Sequence, residues 1–498
     1  MQAQAGLGER YRTQGGPAVS PWLVAGIVVL AVSLMAFGAL VVMRSLRGDV
    51  PDAARPPDPM PTPTRATPGG FTVGKQGEGP TPTTSDDPAP APGITPPASS
   101  GGAPLISPAP PVVQPSSPAP AAGGQPQATA GTEPSPATAA SPQEQAVAEA
   151  MGRLTTDEDR VGQLLLLAWI GSGAEEARPA LHDLRAGGIV FVQNVSTGDE
   201  ARVINQRLKQ IARDANLTEP LIAIDHEGGI VQRLRDVPNV GNNWDFGARN
   251  PSDAQACQRG LDHAQVLSGL GFSMNLAPVL DVNNNPANPV IGKRSYSDDP
   301  RLVARLGAAY IKGLQGGGVA AVGKHFPGHG NTSVDSHLGL PSLPQTADDL
   351  EKIELVPFRA AIEAGVAGIM SAHIVFPAVD SSGVPATLSE PVMTGLLRQK
   401  LGFTGLAVSD DMGAMKAITD NYTPADAAVR AVQGGVDFLI LSAELPQQRQ
   451  ARDGLLAAVK DGRISRERLE QAIRNVLTVK ARFGLLGAPA AQTGGACP

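Results

Sequence analysis

Eight short apolar runs, each breaking into polar or glycine-rich sequence ahead of a helical pattern, recur along this chain. They are Leu164 to Trp169, Gly188 to Val192, Leu221 to Ile224, Met274 to Leu280, Val319 to Val322, Gly368 to Ala372, Leu406 to Val408 and Phe438 to Leu441. Runs so short and so evenly apolar suit strands covered on both faces, which is the condition of a parallel sheet wrapped by helices. Eight strand-helix units in a row point to an α/β fold of one (β/α)8 TIM-type barrel. An open doubly wound sheet would also alternate, but the G-x-G-x-x-G turn that announces its nucleotide site is absent. The barrel is expected to span 144–487, ending in an amphipathic helix from Ser465 to Phe483, and 488–498 reads as a flexible tail.

The sequence before it is of another kind. After a polar segment, 1–21, the residues from Trp22 to Met43 are almost wholly apolar, with Ser33 the one clearly polar side chain. At about 1.5 Å of rise per residue such a stretch crosses a bilayer. A cleaved signal would carry a shorter apolar core and small residues at its end, whereas Arg44 and Arg47 follow here, so a retained transmembrane anchor is expected. The next segment, 44–143, is dominated by proline, alanine, glycine, serine and threonine and reads as a disordered linker that holds the barrel away from the membrane. Arg10 and Arg12 balance Arg44 and Arg47, so the positive-inside rule does not choose an orientation. The proline-rich spacer favours a catalytic domain on the extracytoplasmic face of a bacterial cell.

A net charge of -7 and the absence of any basic run argue against nucleic acid as a partner. The two cysteines, Cys257 and Cys497, are too few for a disulfide scaffold, and the sequence leaves their pairing open.

Chemistry gathers where strands end, which in a barrel is the catalytic face. Asp225-His226-Glu227 closes one run, Asp281 another, and Lys324-His325, His373 and Asp410-Asp411 close later ones. The segment Lys324-His325-Phe326-Pro327-Gly328-His329-Gly330, with Asp335-Ser336-His337 behind it, sets three imidazoles, an ammonium and a carboxylate among residues that forbid a helix. His325 and His329 have the spacing of a helical metal pair, but Pro327-Gly328 defeats that geometry, and His329 is expected to fix the loop. Adjacent strand residues face opposite sides, so only one of Asp410 and Asp411 can aim into a site.

Taken together, Ile224-Asp225-His226-Glu227-Gly228-Gly229, Val290-Ile291-Gly292-Lys293-Arg294-Ser295, the KHFPGHG segment with Asp335-Ser336-His337, and Ser409-Asp410-Asp411-Met412 resemble glycoside hydrolase family 3. Within it they are most similar to bacterial β-N-acetylglucosaminidases. The resemblance implies Asp410 as nucleophile, His337 as general acid and base with Asp335 orienting it, and Asp225, Arg233, Arg294, Lys324 and His325 as sugar ligands, with neither metal nor organic cofactor. Ile230 stands where relatives commonly carry arginine. The activity so implied is a retaining exo-β-N-acetylglucosaminidase acting on peptidoglycan fragments or other β-linked N-acetylglucosamine, a carbohydrate substrate; the expected anchor, which lies outside the resemblance, tethers it to the lipid bilayer, its other partner. Another β-glycosidase of the family, a β-glucosidase or β-xylosidase, and a non-catalytic wall-binding module are the alternatives.

Overall fold

The computed structural model describes residues 140–490 and 497. The expected membrane span Trp22–Met43 and the linker as far as residue 139 lie outside the described residues. Among the described residues, no helix is long and apolar enough to cross a membrane. Among the described residues the first helix, Pro142–Arg153, starts ahead of the expected boundary at Glu144 because Ser141 and Glu144 cap each other reciprocally and Pro142 takes the first turn.

The strands are β1 Leu165–Leu167, β2 Gly188–Phe191, β3 Leu221–Ile224, β4 Met274–Asn275, β5 Ala320–Phe326, β6 Gly368–Ser371, β7 Leu406–Val408 and β8 Leu439–Leu441. Each pairs in parallel with its sequence neighbour, and β8 returns to pair with β1. An isolated parallel bridge between Val408 and Phe438 spans the remaining seam, so the eight-stranded sheet is a nearly closed barrel.

Inside and outside alternate along the strands. Leu166, Val190, Leu221, Ala223, Met274, Ala320, Val322, Met370, Leu406, Val408 and Ile440 share one buried cluster, the barrel interior. Their neighbours Leu165, Leu167, Ile189, Phe191, Ile222, Ile224, Ile369, Ala407, Leu439 and Leu441 belong to the cluster packed under the helices. The final helix, Arg466–Arg482, is N-capped by Ser465 and sends Val476 and Val479, with Phe483 and Leu485 behind them, into the interior cluster. This alternation fixes the register: a one-residue slip of β7 would exchange Leu406 and Val408 for Ala407 inside the barrel, where each buried apolar side chain is worth roughly 1.5–3 kcal/mol. It also decides which way the residues past each strand end point.

Two strands depart from expectation. The run from Met274 pairs as a regular strand only at Met274–Asn275, because Pro278 has no N–H to give a ladder. Beyond it the chain still runs beside β5, through a bridge between Val279 and Lys324. β5 continues to Phe326, so Lys324 and His325 are strand residues, not loop residues. The two cysteines, left open by the sequence, form a disulfide between the helix Asp253–Gly269 and the chain's C-terminal end.

Candidate active site

A cavity of about 340 Å³ opens at the C-terminal end of the strands. Asp225 lies two residues past Ala223, Lys324 two past Val322 and Asp410 two past Val408, so the barrel's own alternation turns all three inward. A second cavity of about 920 Å³ is lined by Arg398, Arg468 and Asp437, where both arginines pair with the carboxylate, and Asp225, Lys324 and Asp410 do not line it.

The floor of the site is a charge network. Lys324 Nζ donates to Asp225 Oδ1 at 2.6 Å and to Glu227 Oε1 at 2.7 Å. Arg233 Nη2 donates to Asp225 Oδ2 at 2.6 Å. Arg294 grips Glu227 with both edges of its fork, Nη2 to Oε1 at 2.7 Å and Nε to Oε2 at 3.0 Å. Burial pushes the Asp225 carboxyl upward, but the adjacent Lys324, Arg233 and Arg294 outweigh it and hold the group far below the usual carboxylate range. Glu227 is also lowered: burial opposes, Arg294 and Lys324 prevail.

Asp281, wholly buried, organises the next layer. Its Oδ1 accepts from the backbone N–H of His325 at 3.1 Å and of His329 at 2.7 Å, and its Oδ2 lies 2.7 Å from His325 Nδ1. Burial raises the Asp281 carboxyl while His325 and its hydrogen bonds lower it more, so it stays an acceptor and fixes the proton on Nδ1. His325 Nε2 is thereby left toward the cavity, 3.5 Å from Arg294 Nη2.

Asp410 accepts from the Asp411 N–H at 2.8 Å through Oδ1. Burial raises its carboxyl, and His325, His373 and Lys324 together with that N–H bring it below the ordinary value, so it is ionised at neutral pH. Asp411 is taken up by structure: it accepts from the N–H groups of Gly413 and Ser442 and from the Ser442 hydroxyl, tying the end of β7 to the end of β8. Across the cavity, Asp335 Oδ1 accepts from the His337 backbone N–H and from His337 Nδ1, each at 2.8 Å. This leaves His337 Nε2 as the free ring nitrogen on a side chain 60% exposed. Asp335 is lowered, burial opposing and the two His337 hydrogen bonds prevailing.

The profile of the glycosyl hydrolase family 3 N terminal domain matches residues 155–479. The chain belongs to glycosyl hydrolase family 3. Among solved structures, the family 3 β-N-acetylglucosaminidase of Paenibacillus sp. str. FPU-7 is 42% identical with a TM-score of 0.65, over 68% of this chain and 64% of that one. β-Hexosaminidase A of Pseudoalteromonas piscicida is 35% identical over 60% of this chain and 53% of its own length. The β-hexosaminidase of Neisseria meningitidis serogroup B is 38% identical over 48% of this chain and 66% of its own. The chain thus spans between about half and two thirds of these relatives.

In this family 3 barrel, Asp225, Arg233, Arg294, Lys324, His325, His337 and Asp410 all line the one cavity, and Asp335 stands behind His337. Arg294, expected as a sugar ligand, both grips Glu227 and faces the cavity. Glu227 and Asp281 are site residues that the sequence marked as strand-end carboxylates without giving them a role. His373, buried at the end of β6, keeps Nδ1 on Thr387 Oγ1 at 2.7 Å and lies in the field of Asp410. Among the described residues, no three of His, Cys, Asp and Glu converge as a metal ion requires.

Proposed function

We propose that this chain is a retaining exo-β-N-acetylglucosaminidase, releasing terminal β-linked N-acetylglucosamine, with peptidoglycan fragments as its substrate. The observation that carries the reading is that an ionised carboxylate, Asp410, and a carboxylate-oriented imidazole, His337, line one small cavity on the catalytic face of a barrel. The relatives named as β-hexosaminidases and a β-N-acetylglucosaminidase support the choice of sugar.

The residues divide the work as follows. Lys324, Arg233, Arg294, Asp225 and His325 hold the hydroxyls of one terminal sugar. Asp410, with Oδ1 held by the Asp411 N–H, attacks the anomeric carbon through Oδ2 as His337 Nε2–H protonates the departing oxygen. The same nitrogen then takes a proton from the water that attacks the glycosyl-aspartate, and two inversions leave the configuration retained. Asp335 keeps Nδ1 protonated through both steps.

A membrane-anchored barrel on the extracytoplasmic face remains the favoured placement. The apolar stretch Trp22–Met43 supports the anchor. The disulfide between the only two cysteines adds support for an oxidising compartment, where such bonds persist.

The test is hydrolysis of 4-nitrophenyl N-acetyl-β-glucosaminide beside the glucoside and xyloside, with Asp410→Ala, His337→Ala and Asp411→Asn in parallel. Asp410→Ala is expected to lose about 10⁴-fold or more in kcat. Asp411→Asn retains turnover at reduced stability. Mass spectrometry of protein quenched with a slow 5-fluoro N-acetylglucosaminyl donor should find the adduct on the Asp410 peptide. Turnover of the glucoside alone would keep the mechanism and replace the sugar; silence on all three would leave the wall-binding module.

A further inference from the structure

Ser336 is buried at the cavity wall, whereas its neighbours Asp335 and His337 are more exposed. Its Oγ lies 3.0 Å from His329 Nε2, and the other ring nitrogen, Nδ1, is 3.3 Å from Thr332 Oγ1. The Thr332 hydroxyl has one hydrogen, and it is donated to the Val334 carbonyl at 3.0 Å. Thr332 Oγ1 therefore accepts, His329 carries its proton on Nδ1, and the bare Nε2 accepts from the Ser336 hydroxyl. Burial, the leading influence, brings the His329 pKa down to about 4, which keeps the ring neutral at working pH and able to accept.

His329 is itself immobilised. Its N–H goes to Asp281 and its carbonyl accepts from Asn288 Nδ2 at 2.9 Å. On the far side of the loop, the Ser336 and His337 carbonyls accept from the N–H groups of Ala417 and Lys416 at 3.3 and 3.4 Å. Ser336 is thus the side chain that ties the segment down into the barrel, whereas Asp335 orients the ring and closes the local turn through the His337 N–H.

We propose that the Ser336–His329 hydrogen bond is a latch that holds His337 at the leaving-group oxygen, making Ser336 and His329 positioning residues for proton transfer. The inference rests on reading His337 as the general acid. Its consequence is selective: loosening the latch harms a substrate in proportion to its need for a proton.

Two N-acetyl-β-glucosaminides separate this role from general damage. Chitobiose needs its leaving oxygen protonated, and the 2,4-dinitrophenyl glycoside departs without help, so kcat/KM on each reports the first step with and without acid catalysis. His337→Ala sets the reference pattern, a much larger loss on chitobiose. Ser336→Ala is expected to follow it, losing at least about tenfold more on chitobiose than on the dinitrophenyl glycoside, a part of the 10²–10⁴ that a general acid supplies. His329→Gln, whose amide oxygen can take the place of Nε2, is expected to keep more chitobiose activity than His329→Ala. Equal losses on the two substrates, or no loss, with an active wild type overturn the latch alone. A wild type inactive on both overturns the glycosidase reading, and the latch with it.

Discussion

Glu227 and Arg294 meet fork to fork at the bottom of the cavity, 67 residues apart in sequence, with the Lys324 ammonium completing the carboxylate's coordination. The Glu227 side chain is 2% exposed and that of Arg294 12%, so the carboxylate has almost no water to fall back on. Removing Glu227 takes the carboxylate from both the Arg294 fork and the Lys324 ammonium, which costs about 3–5 kcal/mol. Glu227→Ala should lose that much in denaturant unfolding and lose sugar binding through a displaced Arg294. In a double-mutant cycle, Arg294→Met added to Glu227→Ala should cost well below the sum of the two. Additive costs would mean that the pair is not coupled.

The strands and their inward-facing positions were legible because burial on both faces leaves a mark that needs no partner: Leu406, Val408 and Asp410 keep step whatever surrounds them. The inward turn of Asp410 follows from the same periodicity. What was hidden is whatever depends on two distant segments meeting. Asp281 looked like any strand-end carboxylate because His325 and His329, its partners, lie 44 and 48 residues away. The pairing of Cys257 with Cys497 spans 240 residues. β5 was cut short because Lys324 and His325 read as loop residues; only the carboxylates of Asp225, Glu227 and Asp281 make them tolerable in a buried strand.

Stability should fall with acid in two stages. Burial, first among the causes in each case, takes His226 to about 4, His263 to about 3 and His329 to about 4. Unfolded histidine titrates near 6.5, so between roughly pH 6.5 and 4 the unfolded chain binds protons that the folded chain refuses. Folding free energy then drops as pH drops, with a limiting slope of about 4 kcal/mol per pH unit for three protons. Below about pH 4 the sign is the same for Asp225, Glu227, Asp281 and Asp410, whose folded pKa values are lowered: their contribution is complete above the unfolded value and is lost on the way down. Urea unfolding at pH 7.5, 6 and 5 checks the first stage. A flat profile across those three would show that the three imidazoles charge inside the fold.

The disulfide fixes the C-terminal end against the helix Asp253–Gly269, on which His263 packs against His226, the neighbour of Asp225. Cys257→Ser or reduction should cost about 2–5 kcal/mol, since the bond closes a long loop in the unfolded chain. The cavity residues lie elsewhere, so kcat/KM at 25 °C should stay within about twofold for the fraction that remains folded. Equal thermal midpoints for oxidised and reduced protein would argue that the bond does not persist in solution, and would remove its support for an oxidising compartment.

Asp281 offers the sharpest separation of charge from shape. Asp281→Asn keeps the volume and one acceptor oxygen, but it puts an NH₂ where either His325 Nδ1 or a backbone N–H now donates. If the amide nitrogen faces Nδ1, the ring must move its proton to Nε2, and the nitrogen offered to the cavity changes from acceptor to donor. Loss of orientation by a buried carboxylate of this kind is worth about 10² or more in rate. We expect kcat/KM to fall by about that factor on every N-acetyl-β-glucosaminide regardless of leaving group, since in the proposed assignment His325 binds sugar and does not protonate oxygen. That pattern is the opposite of the one expected for Ser336→Ala, so the same pair of substrates reads both sides of the site: a leaving-group-dependent loss in Asp281→Asn would mean that Asp281 acts through His329 and the acid loop instead of through His325.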